Sequence, residues 1–170
     1  MSAFNHVWRA CRLGVLLLLL AAAPLTHAQV APPGLPEADK QQIKKYTLND
    51  DVFNRLVAAT QEARATGIPP QAAPDATKVH SLDDLAMQAM GGDPRIPQLV
   101  KKYGFTPREF MLANIALMNA IMASRARNDP AMANNLNQVW DNPDNIRFVD
   151  AHQAQIAALL QGQGARPEGQ

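Results

Sequence analysis

One predicted helix, over residues 107–125, constrains the fold of this chain more than any other feature. Its start combines a residue suited to the N-cap, a proline suited to the first helical position and an acid that can reach back to the cap amide. Two aromatic residues beside them have the spacing of a hydrophobic staple. The N-cap residue is Thr106, the proline is Pro107 and the acid is Glu109. The staple is formed by Phe105 and Phe110. Because all of these local signals agree, the sequence predicts a helix that begins at Pro107.

This helix is apolar on most of its circumference. Its bulky side carries Phe110, Met111, Asn114, Ile115, Leu117, Met118, Ile121 and Met122. Its opposite side carries Leu112 and the small residues Ala113, Ala116, Ala120 and Ala123. A helix that is apolar on nearly every side is surrounded by other helices, and alanines let one neighbour approach closely. The sequence therefore predicts an all-α fold, a small helical bundle around a central buried helix at about 107–125.

Capping residues and glycines mark the other helix boundaries. Helix starts are indicated at Asn49, at Ser81 with Asp84, at Asp93-Pro94 and at Asn142-Pro143. Helix ends are indicated at Gly67, at Gly91-Gly92 and at Gly104. The last helix is predicted to be continuous, with Ile146, Val149, Ile156 and Leu160 along one face. The sequence does not decide whether residues 128–141 are helical.

The first 28 residues have the pattern of a secretory signal peptide. Arg9 and Arg12 precede an apolar run, and the small residues Thr26 and Ala28 occupy the positions expected before a cleavage site. The run is shorter than the roughly 20 apolar residues that a membrane-spanning helix needs. We expect cleavage between Ala28 and Gln29, a periplasmic or secreted product, and no stable membrane anchor after cleavage.

The chain is predicted to have four parts. Residues 1–28 form the signal peptide, 29–45 a Pro-rich flexible leader, 46–162 the helical domain and 163–170 a disordered tail. The one cysteine is Cys11, which lies within the signal peptide. The exported chain therefore has no thiol for a disulfide, for nucleophilic catalysis or for a cysteine metal site.

The charge of the exported chain argues against nucleic acid as a partner. Of the 16 basic residues, Arg9 and Arg12 leave with the signal peptide, so 14 remain against 15 acidic residues, a net charge of −1. Proteins that bind nucleic acid normally present a strongly basic surface. We expect no nucleic-acid partner.

The exported chain carries few residue patterns that are typical of an active site. It has no glycine-rich phosphate loop, no H-E-x-x-H and no G-x-S-x-G, so we expect no enzymatic activity. Asn114 lies in the bulky face of the central helix, and its amide is expected to bond to another helix. His152 is expected to be a core histidine bonded to a carbonyl or an amide. The enzymatic alternative is a helical pocket that joins Asn114 and His152 to an acid such as Glu109 or Asp150.

Methionine and histidine offer a second alternative, a carrier of copper or of non-covalent haem. Thioethers bind Cu(I), and helical bundles can hold haem between a methionine and a histidine. The candidate ligands are His152 and the methionines Met87, Met90, Met111, Met118, Met122 and Met132. Methionine is also an ordinary filler of irregular cores, so we assign no metal site and no cofactor.

Three segments of the chain resemble a group of small exported helical proteins of Gram-negative bacteria. They are YTLNDDVFNRLVAA, YGFTPREFMLANIALMNAIMA and NPDNIRFVDAHQAQIAAL. The resemblance covers most of residues 46–160 and implies a signal peptide followed by one helical domain without cysteines. It implies no activity and no site residues.

Together these features predict a non-enzymatic binding or interaction module. Its expected partner is either another envelope protein or a small apolar molecule held between helices. An adaptable, methionine-rich core and the shortage of reactive side chains both favour binding over catalysis.

Overall fold

The computed structural model describes residues 34–128 and 142–161 of the chain. These residues form seven α-helices and one turn of 3-10 helix, and they contain no β-strand. The helices are α1 (Glu37–Lys45), α2 (Asp50–Ala65), α3 (Leu82–Gly91), α4 (Ile96–Lys102), α5 (Pro107–Asn128), α6 (Pro143–Ala151) and α7 (Gln153–Gln161). The all-α prediction is confirmed. The predicted signal peptide, the segment 129–141 and the tail lie outside the described residues.

The central position predicted for the helix at 107–125 is also confirmed. Helix α5 begins at Pro107, has 22 residues, and is contacted by α1, α2, α3, α4 and α6. Two clusters of buried side chains lie against it. The main core joins it to α2, α4, α6 and α7, and a smaller core joins it to α1 and α3.

The most deeply buried part of α5 is its alanine face. Ala113, Ala116, Ala120 and Ala123 all lie in the main core. The bulky face is less completely covered than its composition suggests, since Met118 is 36% exposed and Phe110 is only partly buried. Small side chains let neighbouring backbones approach closely, which explains why the alanine face is fully buried in the main core.

Capping bonds confirm most of the predicted helix starts, those at Asn49, Ser81, Thr106 and Asn142. The start predicted at Asp93-Pro94 is displaced, because α4 begins at Ile96 and its N-cap residue makes no side-chain capping bond. The backbone N–H of Val52 donates to the Asn49 side chain at 2.9 Å, and that of Asp84 donates to the Ser81 hydroxyl at 3.0 Å. At the start of α5 the Glu109 N–H donates to the Thr106 hydroxyl at 3.1 Å. These bonds satisfy donors that a helix start otherwise leaves unpaired.

The hydrophobic staple predicted at the start of α5 is present. The rings of Phe105 and Phe110 meet edge to face, with 5.7 Å between their centroids. The Glu109 carboxylate does not return to the cap, because it contacts the Arg55 guanidinium of α2 at 3.5 Å. The acid predicted to close a capping box therefore links two helices.

Two glycines end helices in the left-handed conformation, as their positions in the sequence predict. Gly67 has a φ of +67° and Gly104 a φ of +74°. After α4, the Gly104 N–H donates to the Lys101 carbonyl and the Phe105 N–H donates to the Val100 carbonyl. This is the pair of bonds of a Schellman motif, which favours glycine because other residues are strained at positive φ.

The structure differs from the prediction in the leader, because residues 37–45 form α1. This helix has acids in its first turn and Lys44 and Lys45 in its last, an arrangement that complements the helix dipole. Leu35 and Ile43 are buried against α3 and α5. The helical domain therefore begins before residue 46. Two widely spaced apolar residues in a Pro-rich context are too weak a local pattern to predict it.

The predicted continuous last helix is interrupted at His152. Helix α6 ends at Ala151, and α7 begins at Gln153. His152 has φ −112° and ψ 19°, outside the helical region, and its N–H still donates to the Phe148 and Val149 carbonyls. The expected apolar face is buried at Ile146, Val149 and Ile156, and after the break Leu159 takes the buried position predicted for Leu160.

No helix in the described part of the chain combines the length and the apolar character that crossing a bilayer requires.

Candidate functional site

An open groove lies between α3, α4 and the start of α5. It has a volume of about 640 Å³, and the accessible surface inside it is almost entirely apolar. Its apolar lining includes Ala86, Met87 and Met90 of α3, Pro97 of α4 and Pro107 of α5, and two charged residues, Asp83 and Arg108, stand at one side. The volume falls in the range of roughly 300–1,000 Å³ that is typical of ligand sites.

The local sequence explains why this surface is apolar. Asp83, Met87 and Met90 are separated by four and three residues, so they share one face of α3. Pro97 and Pro107 lie in the first turns of their helices, where a missing N–H costs nothing. Both prolines therefore present apolar rings at helix starts, where other residues would expose polar backbone groups.

Met87 is the most exposed large apolar side chain among the described residues. It is 66% exposed, whereas Met90, one turn further along α3, is buried at the base of the groove. The thioether chain of methionine is flexible and polarisable, and it adapts to partners of different shape. Because methionine is frequent at surfaces that bind varied partners, Met87 beside the apolar groove makes this surface a candidate interaction site.

The charged side of the groove is organised around Arg108. One guanidinium nitrogen lies 2.5 Å from an Asp39 carboxylate oxygen and another lies 2.8 Å from an Asp83 carboxylate oxygen. The guanidinium also donates to the Gln42 side chain. Asp83 and then Asp39 raise the pKa of Arg108 above its ordinary value, because their carboxylates stabilise the charged form.

Asp39 is buried and holds three helices together. Besides Arg108 of α5, it accepts a hydrogen bond of 2.8 Å from the Leu82 N–H at the start of α3. A carboxylate at a helix start is stabilised by the unpaired N–H groups and by the dipole there. The groove wall is thereby held by a bond network that runs from α1 through α3 to α5.

The structure does not support the predicted interhelical role of Asn114. Its amide donates to the Phe110 carbonyl of its own helix at 2.7 Å. The amide is only partly buried, because the bulky face of α5 is not fully covered. The expectation of a bond to another helix is therefore wrong, and its reason is the incomplete burial of that face.

The prediction that His152 bonds to a carbonyl is confirmed. Its Nδ1 lies 2.8 Å from the Phe148 carbonyl, and its ring stacks on the Phe148 ring with 4.0 Å between centroids. Its Nε2 lies 3.0 Å from a carboxylate oxygen of Asp50, at the start of α2. Both ring nitrogens are engaged, and His152 links the end of α6 to the start of α2.

The two acids considered for an enzymatic pocket have partners of their own. Glu109 contacts Arg55, and Asp150 accepts a hydrogen bond of 2.5 Å from the Ser124 hydroxyl. Arg127 lies 3.5 Å from the other Asp150 oxygen. Asn114 bonds to Phe110, and His152 contacts Phe148 and Asp50, so neither bonds to Glu109 or Asp150. The described contacts therefore give the enzymatic alternative no shared site.

The methionines considered as copper or haem ligands lie in different parts of the structure. Met87 and Met90 line the groove, and Met111 packs on the smaller core. Met118 is partly exposed on α5, and Met132 lies outside the described residues. Within residues 34–128 and 142–161, no group of three or more histidine, cysteine or acidic side chains could hold a metal ion.

Sequence reasoning named Met87 and Met90 only as possible soft ligands and did not name Asp83 and Arg108. One signal was available, since position 87 falls outside the apolar stripe of α3 and yet holds a methionine. Comparison of the chain with protein-family models, curated proteins and solved structures finds no match. The geometry of the groove therefore carries the functional argument.

Proposed function

We propose that this protein is an exported, non-enzymatic binding module that recognises another protein of the cell envelope through the groove between α3, α4 and α5. The single observation that carries the proposal is the exposed Met87 above an apolar surface of ligand-site size. The sequence pattern of residues 1–28 and the resemblance to small exported helical proteins support the location in the periplasm or outside the cell.

The openness of the groove favours a protein segment over a small apolar molecule. Small ligands are usually enclosed, with about 70–90% of their surface buried in the site. Here Met87 is two-thirds exposed, so a small apolar molecule at this position would keep much of its surface in water. Amphipathic segments dock in open apolar grooves, where their polar side stays solvated. The groove therefore fits an envelope protein better.

Export is tested by the N-terminus of the protein recovered from the envelope fraction. We expect intact-mass spectrometry to show a chain that begins at Gln29. Replacing the small residue directly before the cut, Ala28→Leu, is expected to leave the full precursor as the main species, because cleavage needs a small side chain there. His27→Leu is the matched control and is expected to be processed normally. Wild-type protein that keeps Met1 would contradict the prediction.

Binding through the groove is tested with a photo-crosslinking amino acid placed at position 87 in cells. The same amino acid at position 118, the other exposed methionine of the described residues, is the matched control. We expect a discrete adduct with an envelope protein from position 87 and none from position 118. Pro97→Glu, which puts a charge into the groove at an exposed position, is expected to reduce the adduct at least tenfold.

Two results would overturn the groove as the binding site. One is adduct formation of equal yield from positions 87 and 118. The other is an adduct at position 87 that Pro97→Glu leaves unchanged. Absence of any adduct at position 87 would count against the proposed function itself.

A further inference from the structure

The charged side of the groove carries more negative than positive charge. One guanidinium, that of Arg108, is shared by the carboxylates of Asp39 and Asp83. The set has a formal net charge of −1. The other residues of α3 that line the groove carry no charge.

The exposed charge of this set is the carboxylate of Asp83. The Asp83 side chain is 68% exposed, whereas Arg108 is 30% exposed and Asp39 is 9% exposed. A buried carboxylate requires its partner far more than an exposed one, so Asp39 holds Arg108 in place. Asp83 is therefore free to accept a second cation from the solvent side without breaking the internal bond.

Charge and apolar surface lie next to each other along α3. Met87 follows Asp83 by one helical turn, a rise of about 6 Å along the helix, and Met90 follows within a second turn. A segment that covers both methionines has one end beside the Asp83 carboxylate. The geometry of α3 therefore sets the position of the bound segment relative to the Asp83 carboxylate.

We infer that the groove binds an amphipathic segment of an envelope protein that carries a lysine or arginine about one helical turn from an apolar anchor residue. The cation pairs with Asp83, and the anchor covers Met87 and Met90. This inference rests on the proposed function, since it names the chemistry of the partner at the same groove. Its basis is charge complementarity together with the spacing of Asp83 and Met87.

A second copy of this chain does not fit the groove as well. Stable association of two folded subunits buries about 800 Å² on each partner. Among the described residues, Met87 and Met118 are the only large apolar side chains with substantial exposure. A short segment with one or two anchor residues needs far less apolar area, because its binding energy is concentrated in those anchors.

The test uses two fluorescently labelled helical peptides and the mature protein, with binding followed by fluorescence anisotropy. Both peptides carry the same leucine anchor, and four residues before it one has lysine and the other glutamate. We expect the lysine peptide to bind about five- to tenfold more tightly, since the pair is partly exposed and like charges repel. We also expect this preference to weaken as salt is raised.

Variants separate the two parts of the inference. Asp83→Asn is expected to reduce the lysine preference to less than twofold, and Met87→Glu to weaken both peptides at least tenfold. Asp51→Asn, which removes an exposed acid of α2, is the control for overall charge and is expected to leave the preference unchanged. Circular dichroism melting of each variant identifies any that fail to fold.

Four outcomes would overturn the inference. They are equal affinity for the two peptides, a preference that survives Asp83→Asn, an equal loss of preference in Asp51→Asn, and failure of both peptides to bind. If the photo-adduct at position 87 still forms in these cases, the groove remains the binding site and only the proposed partner chemistry is wrong. If no adduct forms, the proposed function fails with it.

Discussion

Replacing Phe53 with alanine is expected to lower the free energy of unfolding by about 3–5 kcal/mol, a large part of the stability of a domain of this size. Phe53 is 1% exposed in the main core. Its ring meets the rings of Phe148 and His152 edge to face, with 5.6 Å between centroids in each case. Truncation leaves a cavity where α2, α6 and the start of α7 meet, and the surrounding rings cannot close it fully.

The measurement is urea unfolding of the mature protein, followed by circular dichroism. Phe53→Leu is the matched control, because it keeps most of the apolar volume and is expected to cost clearly less than the alanine variant. A loss below about 1 kcal/mol for Phe53→Ala would show that this core is loosely packed and would contradict the described arrangement of α2 and α6.

The second large effect is expected at Asn145, which is 2% exposed on α6. Its side-chain oxygen accepts a hydrogen bond of 2.8 Å from the Leu48 N–H, and its side-chain nitrogen donates to the Tyr46 carbonyl at 2.8 Å. One amide thus satisfies two backbone groups of the loop between α1 and α2. Asn145→Ala leaves the buried Leu48 N–H without its partner, at a cost of about 1–3 kcal/mol. The Tyr46 carbonyl keeps a second hydrogen bond of 3.2 Å from the Asn142 side chain.

The same urea titration measures this variant. Asn54→Ala is the control, since Asn54 is exposed on α2 and its replacement is expected to change stability by less than about 0.5 kcal/mol. Amide hydrogen exchange provides a local measurement, in which the Leu48 N–H is expected to lose its protection first. If Asn145→Ala and Asn54→Ala were equally stable, the buried amide would not be holding the loop.

The helix boundaries were predictable because the forces that end a helix act over a few residues. Asn49, Ser81 and Thr106 each accept a bond from the N–H three positions later, and such bonds involve only residues that are close in the chain. Gly67 and Gly104 adopt positive φ because the chain must turn there. The central place of α5 followed from its composition, since an apolar surface on most sides has to be covered.

The groove could not be predicted, because its walls come from three helices. In the sequence Met87 is an isolated methionine, and only the packing of α4 and the start of α5 against α3 makes it part of a groove. Arg108 has no acidic partner at helical spacing, and its partners Asp39 and Asp83 come from α1 and α3. The sequence shows that Asp83, Met87 and Met90 share one face of α3. Whether that face is exposed depends on how the neighbouring helices pack.

The all-α class, the starts of most helices and the central position of α5 follow from the amino-acid sequence alone, because capping bonds and apolar periodicity are local properties. Tertiary contacts decided the rest. Helix α1 is held by its contacts with α3 and α5, and the last helix is interrupted at His152, whose ring contacts the exposed Asp50 carboxylate at the start of α2. These contacts join residues more than 40 positions apart in the chain, and no local pattern records such a pairing.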